Sequence, residues 1–329
     1  MAVEDEPTCE ERGEFSNRDS GESKDSLLVS LAEAEAVEIG IEAPGGLWSE
    51  AWRKLIRNPG AITGAVIVGV MVLTALFAPV IAPDDPRFTD LNALNHGQPV
   101  GPNAEHWFGI DTLGRDEFSR IVYGTRYSLL IGVVAVMIGL TVGLTLGAIA
   151  GYAGGYADSA IMRCMDVMLA IPGFLLAIGI VAMLGPGLGK IMVAVGIVNI
   201  PIFARLLRSS ILAQKQNDFV LAAKAVGVRG RSVLTAHILP NAISPVIVAA
   251  TLAMATAIID VAGLGFLGLG PQDPSTPEWG TMLTDANNYL SSAPFLAIIP
   301  GLAIVLSVLG FNLIGDGLRE TLDPKLRGR

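Results

Sequence analysis

With 329 residues, 51% of them apolar and only 16% charged, and a mean hydropathy of +0.55, the chain is too apolar for a water-soluble domain of its size, which carries nearer a quarter charged residues. Its apolar residues gather into stretches of about twenty, the length that crosses a hydrocarbon core of ~30 Å, whereas a β-barrel would show ten-residue segments of alternating polarity. The formal net charge of −9 describes one end only: of 31 acids and 22 bases, residues 1–46 hold 13 and 3, leaving 18 and 19 for everything after.

Residues 1–46, rich in Ser and Glu and with Phe15 as their only aromatic, cannot bury a core and are expected to be a disordered tail. They lack the basic start and apolar run of a signal peptide. A segment 47–126 follows, with a first span over 60–82 that is entered through Arg53, Lys54 and Arg57 and left at Pro79, Pro83 and Pro86. A core region, 127–318, carries spans predicted at 127–151, 165–184, 190–212, 239–267 and 295–316, and a short polar end covers 319–329. The fold class is therefore all-α and polytopic, with six transmembrane helices. An even number of spans puts both termini on one side. With the termini inside, fourteen Lys and Arg lie on the inner flanks and five on the outer ones, which assigns the termini and the 213–238 loop to the cytoplasm.

Within the second span Gly139, Gly143, Gly147 and Gly151 recur every four residues, a smooth stripe on one helical face that lets another helix approach closely. Asp260 is an acid inside the fifth span, ~30 Å along the helix from Pro240 and so near its outer end. Its role is either functional, or structural in anchoring the outer loop around Trp279. Two patterns carry no chemistry. Gly263-Leu-Gly265-Phe-Leu-Gly268 fits a dinucleotide fingerprint but has no strand before it, and Gly185-Pro-Gly-Leu-Gly189-Lys190 is one residue short of a phosphate loop and is followed by Ile191. Cys9 and Cys164, with His96, His106 and His237, are too scattered to suggest a disulfide or a metal site. Nothing in the chain is expected to bind ATP, a cofactor or a metal, and its expected surroundings are a lipid bilayer and other proteins, not nucleic acid.

The 213–238 loop is the most informative segment. Asp218 is placed to cap a short helix over Phe219–Val226, and Gly227 to end it in a left-handed turn. Phe219, Leu221, Ala222, Ala223 and Val226 would then form a small apolar knob beside Lys224, with Leu239 and Pro240 opening the fifth span. Such a knob suits either a groove in a partner or the headgroup layer of a membrane.

Ala222, Ala223, Gly227, Leu239 and Pro240 resemble the coupling loop of ABC importer permeases, whose motif runs Glu-Ala-Ala, three residues, Gly, nine residues, Ile-x-Leu-Pro. The likeness extends over most of the chain after the tail. The run from His106 to Leu129 is similar to the loop before the second span of the C-type subunit of dipeptide/oligopeptide importers, and Arg57-Asn58-Pro59 to the lead of that subunit's extra N-terminal helix. Gly263–Gly270 with Pro277-Glu278-Trp279-Gly280, and Asn312–Arg319 with Leu322-Asp323-Pro324, resemble its outer-end and C-terminal signatures.

This resemblance implies the type I ABC importer permease fold with a cytoplasmic coupling helix, in a bacterial cell membrane. It implies a non-catalytic subunit that pairs with a homologous B-type permease and receives peptide from an extracytoplasmic binding protein. It couples through residues 218–227 and Leu239-Pro240 to ATPase subunits that hold ATP and Mg²⁺. One position departs from the pattern: Leu221 stands where the family has Glu. Nickel, opine, haem or another peptide-like cargo on the same scaffold remains an alternative, and a secondary transporter or channel a more distant one.

Overall fold

In so apolar a chain, helix boundaries are set by the few residues able to start or stop a helix. The computed structural model describes residues 52–322, so the expectations for the tail 1–46, for Cys9 and for the last basic residues lie outside the described residues. α1 (Pro59–Leu76) begins at Asn58, whose Oδ1 accepts the Ala61 N–H at 3.1 Å, and has Pro59 in its first turn, where no N–H is needed. The Asn58 amide also donates to Glu320 Oε2 at 2.6 Å, joining the start of α1 to the end of the last helix.

α2 (Glu117–Ala153) has 37 residues and begins ten residues before the expected boundary. Asp116 caps it, its Oδ2 accepting the Ser119 N–H at 2.7 Å. Hydropathy misplaces this start because residues 117–126 carry Glu117, Arg120 and Arg126, charges that a window average reads as loop.

The third expected span, 165–184, is not one helix. α3 (Gly155–Leu169) and α4 (Gly173–Leu184) meet at a 91° bend. Pro172 explains it: the ring disfavours helical geometry at the residue before it and supplies no N–H to continue the ladder. The twelve residues of α4 extend only about 18 Å, too short to cross a hydrocarbon core unaided. α3 carries the charges, and it is tied to the next helix by Arg205 Nη2–Asp166 Oδ1 at 2.6 Å and by a bidentate pair between Arg208 and Asp158.

α5 (Leu188–Gln214) leads into the polar loop and its short helix α6 (Asp218–Ala225). The predicted fifth span is interrupted near its start. Leu239–Ala242 forms a separate turn before α7 (Ser244–Leu264), which runs on through a widened turn to Leu269. α8 (Trp279–Ala286) is a short helix outside the expected spans, and α9 (Phe295–Leu322) continues six residues past its predicted end.

Five of these helices are long and apolar enough to cross a membrane, and the bent α3–α4 pair makes a sixth if its limbs form one span. The core lies between α2, α5 and α7, where Ile131, Phe203, Leu207, Ile211 and Val261 are buried. In the apolar stretch of α5, 56% of residues are buried, against 17% in α1 and in α9, which places the latter two at the periphery with apolar faces turned outward.

Candidate functional site

The 213–238 loop folds as the sequence predicts at one end of α6 and differently at the other. Asp218 is the first helical residue and does not cap. Asn217 occupies the cap position, but its amide donates to Gln214 Oε1 at 2.7 Å and its side chain makes no capping bond. Asp218 contributes a negative charge to the positive end of the helix. At the other end Gly227 adopts φ +80°, the Val228 N–H donates to Ala223 O at 3.1 Å, and the Gly227 N–H donates to Lys224 O at 3.0 Å. This crossed pair of bonds is the left-handed helix stop that glycine makes without strain.

Most of the expected knob is present. Phe219, Leu221, Ala222 and Val226 are exposed, Val226 at 80%, with Lys224 beside them. Ala223 is not part of it. With Val220, three residues away on the same helical face, it is buried against the chain's own core. Leu239 also packs against that core, whereas Pro240 is exposed in the first turn of its short helix.

All four glycines of the stripe face α5. An added Cβ would stand 2.7 Å from Asn199 Cβ at Gly139, 2.8 Å from Ile200 O at Gly143, 2.5 Å from Ala204 O at Gly147 and 3.0 Å from Ile211 Cβ at Gly151. Gly196 of α5 returns the fit against Ala135 O and Ile138. Two backbones thus lie in contact over three turns.

At the far ends of these helices, Trp279 is buried, and its Nε1 donates to Ile121 O at 3.4 Å over Gly124. The preceding residue, Glu278, caps α8: its Oε1 accepts the Gly280 N–H and its Oε2 the Thr281 N–H, both at 2.9 Å. Burial pushes this carboxyl up to about 7 against the pull of those two donors. The anchoring role considered for Asp260 therefore falls to Glu278 and Trp279. Asp260 is half-buried, and its carboxylate makes no hydrogen bond or ion pair among the described residues.

Comparison with known proteins assigns this arrangement of helices and loop. Residues 143–328 match the family described as binding-protein-dependent transport system inner membrane component, and residues 46–99 match the N-terminal TM domain of oligopeptide transport permease C. The chain belongs to this permease family. It is 50% identical to the dipeptide transport system permease protein DppC of Alkalihalophilus pseudofirmus over 85% of this chain and 90% of that protein. It is also 50% identical to the glutathione transport system permease protein GsiD of Shigella flexneri serotype 5b, over 85% and 91%. Among solved structures, an inward-facing form of the MetNI methionine ABC transporter shares the fold, with a TM-score of 0.52 at 19% identity over 62% of this chain and 97% of that one.

The permease also holds a polar centre that sequence reasoning missed. Arg115, Arg120, Asp111 and Glu117 are all buried at 4% exposure or less. Arg115 Nε donates to Asp111 Oδ2 at 2.6 Å and its Nη1 to Pro274 O at 2.6 Å, while Arg120 Nη1 stands 3.2 Å from the same Asp111 oxygen. Asp285 of α8 lies 3.6 Å from Arg115 and 3.8 Å from Arg120. Beside this centre, His106 Nδ1 lies 3.0 Å from Asp116 Oδ1, and with Asp84 the three offer ligand atoms within 4.8 Å of one another, a grouping their scattered positions conceal. The available signal was charge density: positions 111–120 hold five charges in a chain that is otherwise sparing with them, two pairs of them spaced i, i+4.

Proposed function

We propose that this permease is one half of the translocation pore of an ATP-driven importer of di- and oligopeptides. It pairs with a homologous B-type permease, takes peptide from an extracytoplasmic binding protein, and docks ATPase subunits through the exposed face of α6. ATP and Mg²⁺ bind on those ATPases. The excess of basic residues at the loop end supports a cytoplasmic position for the loop and both termini. The observation that carries the reading is the α6 knob. Phe219, Leu221 and Val226 stand exposed on a rigid, glycine-terminated helix, an apolar surface suited to a groove in a partner. Peptide cargo is supported by the dipeptide and glutathione permeases at 50% identity.

The test is uptake of labelled di- and tripeptides into proteoliposomes holding the permease pair, with and without the ATPases and binding protein. Uptake is expected only with the complete set and ATP. Uptake without any ATPase would overturn the importer reading, and transport of a metal complex in place of peptides would overturn the cargo.

A further inference from the structure

α2 is held at both ends by contacts of unlike chemistry. At the loop end, the Tyr152 hydroxyl donates to Gly230 O at 2.7 Å. Lys215, the residue that ends α5, donates to Gly151 O at 3.3 Å and Tyr152 O at 3.1 Å, and its ammonium lies 5.5 Å from the centre of the Tyr152 ring. These carbonyls belong to the last turn of α2, which Gly154 terminates at φ +69°, so no later helical N–H reaches them and they carry the negative end of the helix dipole. A cation donating there is favourable twice over, through the hydrogen bonds and through the dipole.

The geometry brackets α6. Lys215 precedes it and Gly230 follows it, yet both are fastened to the same turn of α2. The fit at Gly230 is close, since a Cβ there would stand 2.6 Å from the Tyr152 oxygen. From that turn α2 runs 37 residues, about 55 Å, to Glu117 and Arg120 in the buried ionic centre. Over its last three turns the glycine stripe locks α2 to α5, so a push on the loop is not lost to sliding between these helices.

We propose that Tyr152 and Lys215 are positioning residues that fasten the coupling loop to α2 and make this helix the rod that carries displacement of α6 to the opposite end of the permease. The proposal rests on the reading of α6 as the ATPase-docking element. It assigns Tyr152 and Lys215 no contact with cargo or nucleotide.

The test uses the complete importer in proteoliposomes, with peptide uptake and ATP hydrolysis measured on the same vesicles. Tyr152→Phe combined with Lys215→Met is expected to lower peptide delivered per ATP by about tenfold, the upper range for mutations along a coupling network, with the ATPases still bound and hydrolysing. Lys215→Arg keeps donors for the two carbonyls and is expected to retain the coupling ratio. An unchanged ratio in the double variant overturns the proposal. So does a parallel loss of uptake, hydrolysis and assembly, which would mark the contacts as merely structural. Failure of the docking reading is scored separately by Phe219→Asp on the exposed face of α6: if the ATPases remain bound to that variant, the docking assignment is wrong whatever the double variant does.

Discussion

Gly147 of α2 lies so close to Ala204 of α5 that a Cβ on the glycine would stand 2.5 Å from the alanine's carbonyl oxygen. The obstacle is backbone, which cannot rotate aside as a side chain can. Gly147→Val is therefore expected to force α2 and α5 apart and to destabilise the folded permease by about 3 kcal/mol, the upper end of ordinary overpacking costs. Gly69→Ala, where nothing lies within 4 Å, is the matched control and is expected to leave stability unchanged or slightly raised. Thermal unfolding of the purified variants compares the two directly, and equal melting temperatures would contradict the contact.

Gly227 differs from the stripe because its space is open and its backbone is not. Nothing lies within 4 Å of an added Cβ, but φ is +80°. Asn tolerates this region better than most residues, and a β-branched side chain does not. Gly227→Asn is expected to keep most transport. Gly227→Val is expected to re-aim or fray the end of α6, leaving membrane insertion intact while uptake per ATP falls. Full uptake by the valine variant would show that the left-handed stop is not needed to hold the knob.

The glycine spacing and the Gly227 stop were legible because each rests on one residue type whose missing side chain is the whole signal. Which helix the stripe meets was not legible, since periodicity names a face and not its partner. Pro172 was visible, yet the apolar run around it reads as one span; only the 91° turn separates α3 from α4. The burial of Arg115 and Arg120 was not legible for a different reason: it comes from α8 and Pro274, about 160 residues away. Asn217 and Asp218 show how fine the limit is: both residue types can cap a helix, yet neither side chain does, Asp218 standing one residue inside α6 and the Asn217 amide donating back to Gln214.

Leu221 occupies the place where the resemblance called for a carboxylate, and it is 55% exposed on α6. Exposed substitutions away from special backbone geometry usually shift stability by no more than about 0.5 kcal/mol, so Leu221→Glu should melt like the unaltered permease. On the proposed reading of α6 as the ATPase-docking element, its effect falls on the partner. A partner groove matched to leucine would desolvate the new carboxylate without a counter-charge, and co-purification of the permease's own ATPases is expected to fall by about fivefold or more, equivalent to a penalty of 1 kcal/mol or above. Stronger retention of the ATPases would mean that the partner has kept a polar contact for this position.

Glu278 gives the permease a calculable pH dependence. Its carboxyl is raised by burial to about 7 from an ordinary 4.5, so between those values the folded protein holds a proton that the unfolded chain has released. Stability from this group is accordingly greatest below pH 4.5, declines as pH rises to 7, and is level above it; the full change is on the order of 3 kcal/mol. Glu278→Gln removes the titration. It keeps one carbonyl acceptor for the Gly280 and Thr281 N–H groups but turns an NH₂ toward the other, at a cost of about 1 kcal/mol. The two melting curves are therefore expected to cross near pH 5, with the glutamine variant less stable at pH 4 and more stable at pH 8. Parallel curves across that range would show that the buried group does not titrate between 4.5 and 7, and would leave the hydrogen-bonded cap of α8 as its only contribution.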